Sequence, residues 1–251
     1  MGNKGNNQRN NILFFFLGPI MASAIGFLNT PIISYFISPE EYSNVNYFQM
    51  MQSIIQAIIY LGFDQAYARY FHDEKDKEYI LSNTILVPIC VSLACGSIIF
   101  INAGSISAKL YNSNEVILPT LLLALSLPLL VLERFYLLRI RMQERGLLYS
   151  SLNVVAKVLT TLLTIIIFIC YEKSFYSAMY GALLGQNIFD VIVILINHTG
   201  KKKIRRGNIN FRIIKEMASF GLPLAPNELI ALFMNSADRI CIKRFSTALD
   251  L

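Results

Sequence analysis

Long apolar stretches, separated by short polar segments, run along the whole chain. A membrane-spanning helix needs roughly 20 residues to cross a hydrocarbon core about 30 Å thick, and seven stretches reach that length. They are residues 12–37, 44–64, 80–103, 116–138, 148–171, 175–197 and 219–242. The stretches do not alternate apolar with polar residues, which favours helices over the strands of a barrel. The pattern therefore predicts an all-α, polytopic bundle of transmembrane helices.

The composition supports a membrane protein and gives no sign of an enzyme. Of the 251 residues, 55% are hydrophobic and 15% are charged, whereas a soluble domain carries about 25% charged residues. The four cysteines and two histidines lack metal-ligand or redox spacing, and no nucleotide-binding or hydrolase motif is present. The sequence therefore predicts no cofactor, no metal site and no catalytic group.

The basic residues indicate how the helices are oriented. If the N-terminus is cytoplasmic, most of the 22 lysines and arginines fall in loops on that side of the membrane, as the positive-inside rule requires. The densest basic run, residues 201–206, would then lie in a cytoplasmic loop. We interpret this run as a topology signal in contact with anionic membrane lipids, not as a nucleic-acid site.

The predicted spans divide the chain into three parts. Residues 1–200 form a first bundle of six helices, residues 201–218 a basic cytoplasmic loop, and residues 219–251 a seventh helix. The chain stops directly after this seventh stretch, so we expect the stretch to be the start of a truncated second half.

Polar side chains follow one face of the second span. They recur at steps of three and four residues, which places them together on a helix. The members are Gln49, Gln52, Ser53, Gln56, Tyr60 and Asp64. Hydrogen bonds between helices explain one or two such residues in a span, but a continuous stripe predicts a helix face turned toward a water-filled cavity.

The fifth span carries a second polar stripe with a lysine near its middle. Asn153 and Lys157 begin the stripe, and Thr160, Thr161 and Thr164 continue it. If this span starts near residue 148, Lys157 lies about 13 Å inside it. At that depth the ammonium group needs a carboxylate partner, water or an anionic ligand, and the sequence leaves the structural ion pair and the ligand open.

The sixth and seventh spans carry acidic groups. Gln186 and Asp190 share a face of the sixth span, while Gly181 and Gly185 form a small-residue seam that is typical of helix packing. The seventh span contains Glu228, Asn235, Asp238 and Arg239. Pro223 and Pro226 precede these residues and predict an irregular or kinked start.

Charged residues also lie near the predicted cytoplasmic ends of two spans. We expect Arg69 and Arg134 to extend toward lipid head groups beside Asp64 and Glu133. The charged turn of residues 71–78 is expected to be solvated, without a metal site.

Three short motifs resemble bacterial polysaccharide and O-antigen flippases, which belong to the multidrug/oligosaccharidyl-lipid/polysaccharide exporter superfamily. Residues 29–42 read NTPIISYFISPEEY, residues 61–70 read LGFDQAYARY, and residues 220–226 and 235–239 read FGLPLAP and NSADR. Ile37 stands where the family tends to have leucine, and Ser43 where it tends to have glycine. The motifs occur in the family's order and spacing, on the matching spans, and they bracket nearly the whole chain.

The resemblance implies a transporter with two six-helix halves around a central cavity, of which this chain is the first half plus a seventh helix. Such proteins move undecaprenyl-pyrophosphate-linked oligosaccharide across the bacterial inner membrane by alternating access, for surface polysaccharides such as the O-antigen of lipopolysaccharide. Polysaccharide-assembly proteins are the expected partners.

From this resemblance and the polar stripes, we expect a cavity between spans one, two, five and seven. Its predicted lining comprises Gln49, Gln52, Gln56, Asp64, Arg69, Asn153, Lys157, Asn235 and Arg239. The amides would bond sugar hydroxyls, while Lys157 and Arg239 would attract the pyrophosphate. Asp190, Glu228 and Asp238 would carry a coupling proton or sodium ion.

Three other functions stay open at the sequence level. A multidrug cation exporter of the same superfamily would require an acidic cavity. A membrane-embedded glycan polymerase or acyltransferase would require catalytic groups that the sequence does not reveal. A non-transporting interaction subunit would be favoured by a native stop after Leu251.

Overall fold

The computed structural model describes residues 2–73, 76–111, 117–199 and 209–234. Within these ranges the chain forms helices and no strand, which confirms the predicted all-α class. The helices are α1 (Gly2–Phe36), α2 (Pro39–Tyr60), α3 (Phe63–Tyr70), α4 (Lys77–Ile101), α5 (Ala103–Tyr111), α6 (Ile117–Met142), α7 (Gly146–Cys170), α8 (Phe175–Thr199) and α9 (Phe211–Gly221). Residues 225–234 are also helical.

Six segments of the described chain are long and apolar enough to cross a membrane. They are Phe15–Phe36, Lys77–Ile101, Ile117–Met142, Gly146–Cys170, Phe175–Asn197 and Phe211–Met234. The second predicted span, now α2, is not among the six. Its 22 residues extend about 33 Å at 1.5 Å per residue. It is thus long enough to cross a membrane, and its polar stripe makes it less apolar than the six segments.

The start of α2 explains why residues 38–41 of the first motif, NTPIISYFISPEEY, occur together. The Ser38 hydroxyl accepts a hydrogen bond from the Glu41 backbone N–H at 3.3 Å, and the Glu41 carboxylate accepts the Ser38 N–H at 3.1 Å. This capping box satisfies two backbone donors, and Pro39 at the first helical position loses no hydrogen bond. The serine, proline and glutamates therefore have a structural reason to occur together at this helix start.

A sharp break divides the predicted second span. Leu61 and Gly62 adopt positive φ angles of 48° and 72°, which ends α2 and starts α3 in a new direction. The prediction of one span over residues 44–64 was therefore wrong at its end. Part of the predicted loop 65–79 is the helix α3. The apolar pattern runs through the break, so hydrophobicity alone gave no sign of it.

The amphipathic helix α9 packs against α3 and α4, beside this break. Its buried Met217 contacts the Thr84 hydroxyl of α4, and the Asn210 backbone N–H donates to the Asn83 side chain at 2.8 Å. The guanidinium of Arg69 lies 4.3 Å from the centre of the Phe220 ring. The structure thus places a helix within residues 201–218, which were predicted to be a loop. Residues 222–224 form a turn before the helix resumes, which confirms the irregular start predicted from the prolines.

Gly62 and Gly221 bring the two backbones into direct contact. A Cβ on Gly62 would overlap the Gly221 carbonyl oxygen, and its φ of +72° is unfavourable for residues with side chains. We therefore expect Gly62→Ala to destabilise the folded protein by about 2 kcal/mol, from backbone strain and steric overlap together. The measurement is the midpoint of thermal unfolding in lipid nanodiscs.

Gly104→Ala is the matched control for that variant. Gly104 lies in α5, and a Cβ there meets no atom within 4 Å. Alanine at such a helical position should leave the midpoint unchanged or raise it, because alanine loses less backbone entropy than glycine on folding. Equal midpoints for the two variants would contradict the proposed contact.

The charged turn before α4 is more ordered than the sequence predicts. The Asp76 carboxylate accepts the Glu78 backbone N–H at 3.1 Å and caps α4, and the Lys77 ammonium donates to the Phe71 carbonyl. Glu78 is buried and forms an ion pair with Arg139 of α6. The expectation of a fully solvated turn was therefore wrong, because the partner of Glu78 lies 61 positions further along the chain.

Glycines form the tight seam between α7 and α8. A Cβ on Gly181 would overlap the backbone of Thr164, and one on Gly185 would overlap that of Thr160. This close approach confirms the packing seam predicted from the small residues. It also aligns the polar face of α7 with α8, which forms one corner of the cavity described next.

Candidate functional site

A polar cavity lies between α1, α2, α7 and α8. It has a volume of about 360 Å³, at the lower end of the range of 300–1,000 Å³ typical of ligand sites. Most of its lining groups are amides and hydroxyls. The polar lining residues are Asn29, Thr30, Tyr42, Asn46, Gln49, Gln52, Lys157, Thr160, Thr161, Thr164 and Gln186. Such a lining offers both hydrogen-bond donors and acceptors to a polar ligand.

The cavity matches the predicted one in three of its four walls. Gln49 and Gln52 of α2 and Lys157 of α7 line it together. The fourth wall is the sixth span, α8, and the seventh span contributes none of its described residues. The sequence pattern indicates which helix face is polar, but not which neighbour that face packs against.

Lys157 supplies the cavity's charge. It lies 11 residues beyond Gly146, about 16 Å along α7, which is close to the middle of a 30 Å hydrocarbon core. Among the described lining residues it is the only charged one, and no carboxylate faces the cavity beside it. The described lining of the cavity therefore carries one positive charge and no negative one.

Asn29 is a lining residue that lies outside the predicted polar stripes. Its side-chain oxygen is buried and has no hydrogen-bond partner in the described part of the chain. Buried polar atoms are nearly always paired, so this oxygen needs a partner that the described side chains do not supply. Asn29 and Thr30 interrupt a long apolar stretch, and this interruption is the sequence signal that marks them.

The threonine hydroxyls of α7 are already partly used. Thr160 donates to the Ala156 carbonyl at 2.9 Å, and Thr164 donates to the Thr160 carbonyl at 2.8 Å. Since a hydroxyl has one donor hydrogen, these two can only accept hydrogen bonds from a ligand. The other potential donors among the described lining residues are the side-chain amides, Lys157 and the hydroxyls of Thr30, Tyr42 and Thr161.

Several predicted site residues lie away from this cavity. Gln56 and Asn153 are not among its lining residues, and the Asn153 amide donates to the Tyr149 carbonyl at 2.8 Å. Asp64 and Arg69 lie on α3, beyond the break that ends α2. Asn235, Asp238 and Arg239 lie outside the described residues.

A second polar cluster surrounds α3. Arg134 of α6 donates to the Asp64 carboxylate at 2.7 Å; the arginine side chain is 48% exposed and the aspartate side chain 2%. Arg134, which we expected to extend toward lipid head groups, thus also neutralises Asp64, because burial of that carboxylate without a cation would be costly. The Gln65 amide donates to Glu228 at 3.2 Å and links α3 to the last helical segment.

Helix α8 links the cavity to a buried carboxyl group. The Gln186 side chain lines the cavity, and its amide donates to the Asp190 carboxylate at 2.8 Å. This bond confirms that the two residues share a helix face. Asp190 itself is fully buried, so Gln186 connects the cavity to a carboxyl group that water does not reach directly.

The described lining of the cavity offers groups that can bind a polar ligand. Within the described residues, no three histidine, cysteine or carboxylate side chains are placed to hold a metal ion. The cavity offers amides and hydroxyls for a neutral polar ligand and one ammonium for an anion. These groups suit recognition of a hydroxyl-rich molecule that carries negative charge.

One family of known proteins matches most of the chain. The family model described as "Polysaccharide biosynthesis protein" matches residues 9–251. No curated protein is significantly similar to the chain in sequence.

Solved structures share the fold at low sequence identity. A structure described as MATE in complex with MaD5 has a TM-score of 0.70 and 14% identity, and covers 92% of this chain and 56% of that chain. A structure of a MOP superfamily transporter from Pyrococcus furiosus has a TM-score of 0.68 and 16% identity, with 94% and 56% covered. The outward-facing conformation of a multidrug resistance MATE family transporter has a TM-score of 0.67 and 17% identity, with 90% and 55% covered. The chain thus has the half-fold of these transporters and spans a little over half of their length.

Proposed function

Because the chain belongs to the polysaccharide biosynthesis protein family, we propose that it forms part of a flippase for lipid-linked oligosaccharide. The substrate class is a glycan joined through pyrophosphate to undecaprenol, which the protein moves across the bacterial inner membrane by alternating access. The product serves surface polysaccharide assembly, for example O-antigen, and assembly proteins are its partners. The N-terminus is cytoplasmic in this proposal.

One observation supports this function above all. The cavity contains a lysine and no carboxylate among its described lining residues. A pyrophosphate group is attracted by that charge, whereas a cationic drug is repelled by it. Sugar hydroxyls match the surrounding amides, since each amide offers two donor hydrogens and an acceptor oxygen.

The proposal gives each group a role. Lys157 binds the pyrophosphate, and Gln49, Gln52 and Asn29 bond the sugar hydroxyls. Arg239 and Asn235 contribute from the seventh span, while Asp190, Glu228 and Asp238 carry the coupling ion. Gln56, Asp64, Arg69 and Asn153 do not line the described cavity, so the proposal assigns them no substrate contact.

A multidrug exporter is the second candidate, because one similar structure is described as a multidrug resistance transporter. That likeness lies in the fold, at 17% identity. Another similar structure is described as having a binding pocket of reversed polarity that suggests a different function, which shows that the fold accommodates pockets of different charge. The lysine-containing cavity favours the anionic substrate here.

Deletion of the gene in the source cell separates the candidates. For a flippase, lipid-linked glycan accumulates on the cytoplasmic leaflet, surface glycan falls, and drug susceptibility stays unchanged. For a multidrug exporter, surface glycan stays normal and susceptibility to cationic drugs rises. For a polymerase or acyltransferase, the surface glycan persists with altered length or acylation.

A further inference from the structure

A second cavity lies where α6 begins, α7 ends and α8 begins. Its volume is about 620 Å³, well inside the range of about 300–1,000 Å³ typical of ligand sites. No described residue lines both this cavity and the polar cavity. We call it the tyrosine groove, and the polar residues of its lining are Tyr171, Glu172, Ser174, Tyr176, Ser177 and Tyr180.

Helix periodicity builds the walls of the tyrosine groove. Tyr176, Tyr180 and Leu184 follow each other at steps of four residues along α8, so they lie in one row on the helix surface. Ile167 and Tyr171 are four positions apart at the end of α7. The two rows stand side by side because the glycine seam holds α7 against α8. The start of α6 completes a concave surface that is partly aromatic.

The mouth of the tyrosine groove is held by local contacts. The Ser177 hydroxyl donates to the Glu172 carbonyl at 2.6 Å, and the Ser174 backbone N–H donates to the same carbonyl at 3.0 Å. The Tyr176 ring centre lies 3.9 Å from that of Phe175, which is buried. The groove is therefore shaped before a ligand arrives, which lowers the entropic cost of binding.

The charge of the tyrosine groove is opposite to that of the polar cavity. Glu172 is the only charged residue of its described lining, is exposed, and forms no salt bridge within the described residues. The adjacent Lys173 does not line the groove. Its ammonium lies toward α1 instead, 5.4 Å from the centre of the Phe36 ring. The described lining thus offers hydrogen-bond acceptors and no cation.

Sugar rings fit this lining better than phosphate groups do. A sugar ring has apolar C–H faces and hydroxyl groups around its edge. Tyrosine offers a flat apolar ring with a polar hydroxyl, and a carboxylate accepts strong hydrogen bonds. Tyrosines are common at the ends of membrane spans, but that preference alone does not bring three of them and a carboxylate into one concave site. The charge of Glu172 also disfavours the phosphates of membrane lipids.

From this lining we propose that the tyrosine groove binds sugar rings of the glycan on the side of the membrane opposite the cytoplasm. The proposal rests on the proposed function and its cytoplasmic N-terminus, which places the end of α7 and the start of α8 on that side. Tyr171, Tyr176 and Tyr180 contact the ring faces, and Glu172 accepts hydrogen bonds from the hydroxyls. The groove contacts only the sugars, whereas the polar cavity with Lys157 attracts the pyrophosphate.

Saturation-transfer NMR on the lipid-reconstituted protein that carries this chain tests the groove. The probe is the oligosaccharide released by mild acid from the source cell's surface polysaccharide, without lipid or pyrophosphate. We expect the wild-type protein to bind this probe. Tyr171→Ala should weaken the binding by about 3- to 10-fold, through loss of an aromatic contact. Glu172→Gln should weaken it by about 10-fold, through loss of a hydrogen bond to a charged group.

Tyr35→Ala is the matched control, because Tyr35 is 83% exposed near the end of α1 and lies outside the groove. Tyr171 is similarly exposed, at 76%, so neither substitution should disturb the fold. Equal weakening by the two tyrosine variants would indicate unspecific contact with the protein surface and would overturn the inference. Unchanged binding in both Tyr171→Ala and Glu172→Gln would leave the groove to membrane lipid and would also overturn it, as would a wild-type protein that does not bind the probe.

The outcome can be separated from that of the proposed function. If the probe binds as expected while gene deletion leaves surface glycan unchanged, the sugar site stands and the flippase is wrong. If deletion abolishes surface glycan but the probe does not bind, the flippase stands and the tyrosine groove has no role in sugar binding.

Discussion

Lys157→Met in the protein that carries this chain should lower glycan export by about 10- to 100-fold. Hydrogen bonds to charged groups contribute about 1.5–3 kcal/mol, and each 1.4 kcal/mol corresponds to a tenfold change in binding. Methionine keeps the length and apolar stem of lysine but removes the only charge among the described residues that line the cavity. The measurement is the ratio of lipid-linked glycan on the cytoplasmic leaflet to glycan at the cell surface.

Two further variants make this result specific. Lys157→Arg keeps the positive charge and should retain most of the export. Lys215→Met removes a lysine from the exposed face of α9, outside the cavity, and should leave export unchanged. Normal surface glycan in Lys157→Met would exclude a substrate role for this lysine.

Protein abundance distinguishes substrate binding from a structural ion pair. A lysine that neutralises a buried carboxylate would leave that group uncompensated when replaced, and the protein would unfold more readily. No carboxylate lines the cavity among the described residues, so Lys157→Met should reach the membrane in normal amount. A loss of export with normal abundance would therefore favour the anionic ligand.

The sequence predicted the helices well because the bilayer imposes a simple rule. Any spanning segment must satisfy its own backbone hydrogen bonds and bury about 20 apolar residues, and both demands are local. The break at Leu61 and Gly62 was not predictable in this way. It depends on contact with Gly221, far along the chain, and glycine is common within membrane helices anyway.

The candidate site was predicted only in part, for a related reason. Periodicity identified the polar faces of α2 and α7, which do line the cavity. Periodicity assigned no neighbours to those faces. The resemblance and the stripes together led us to expect the seventh span as the fourth wall, where the described residues place α8. Ion pairs such as Asp64 with Arg134, separated by 70 positions, require knowledge of which helices are adjacent, and a single sequence does not contain that knowledge explicitly.

Arg139→Met should destabilise the folded protein by about 3–5 kcal/mol, the typical cost of leaving one charge of a buried ion pair without its partner. The side chains of Arg139 and Glu78 are only 10% and 12% exposed. One oxygen of Glu78 already lacks a hydrogen-bond partner among the described residues, so the remaining carboxylate would have little compensation.

Arg212→Met is the matched control, because Arg212 pairs with Glu216 one turn further along α9 with 86% and 53% of the side chains exposed. An exposed pair of this kind contributes below about 0.5 kcal/mol. The measurement is the free energy of unfolding in mixed micelles for both variants. The double variant Glu78→Gln with Arg139→Met should recover part of the loss, since it leaves no unpaired charge. Equal effects for Arg139→Met and Arg212→Met would show that the Arg139 pair is solvated, and the link between α4 and α6 would then depend on apolar packing alone.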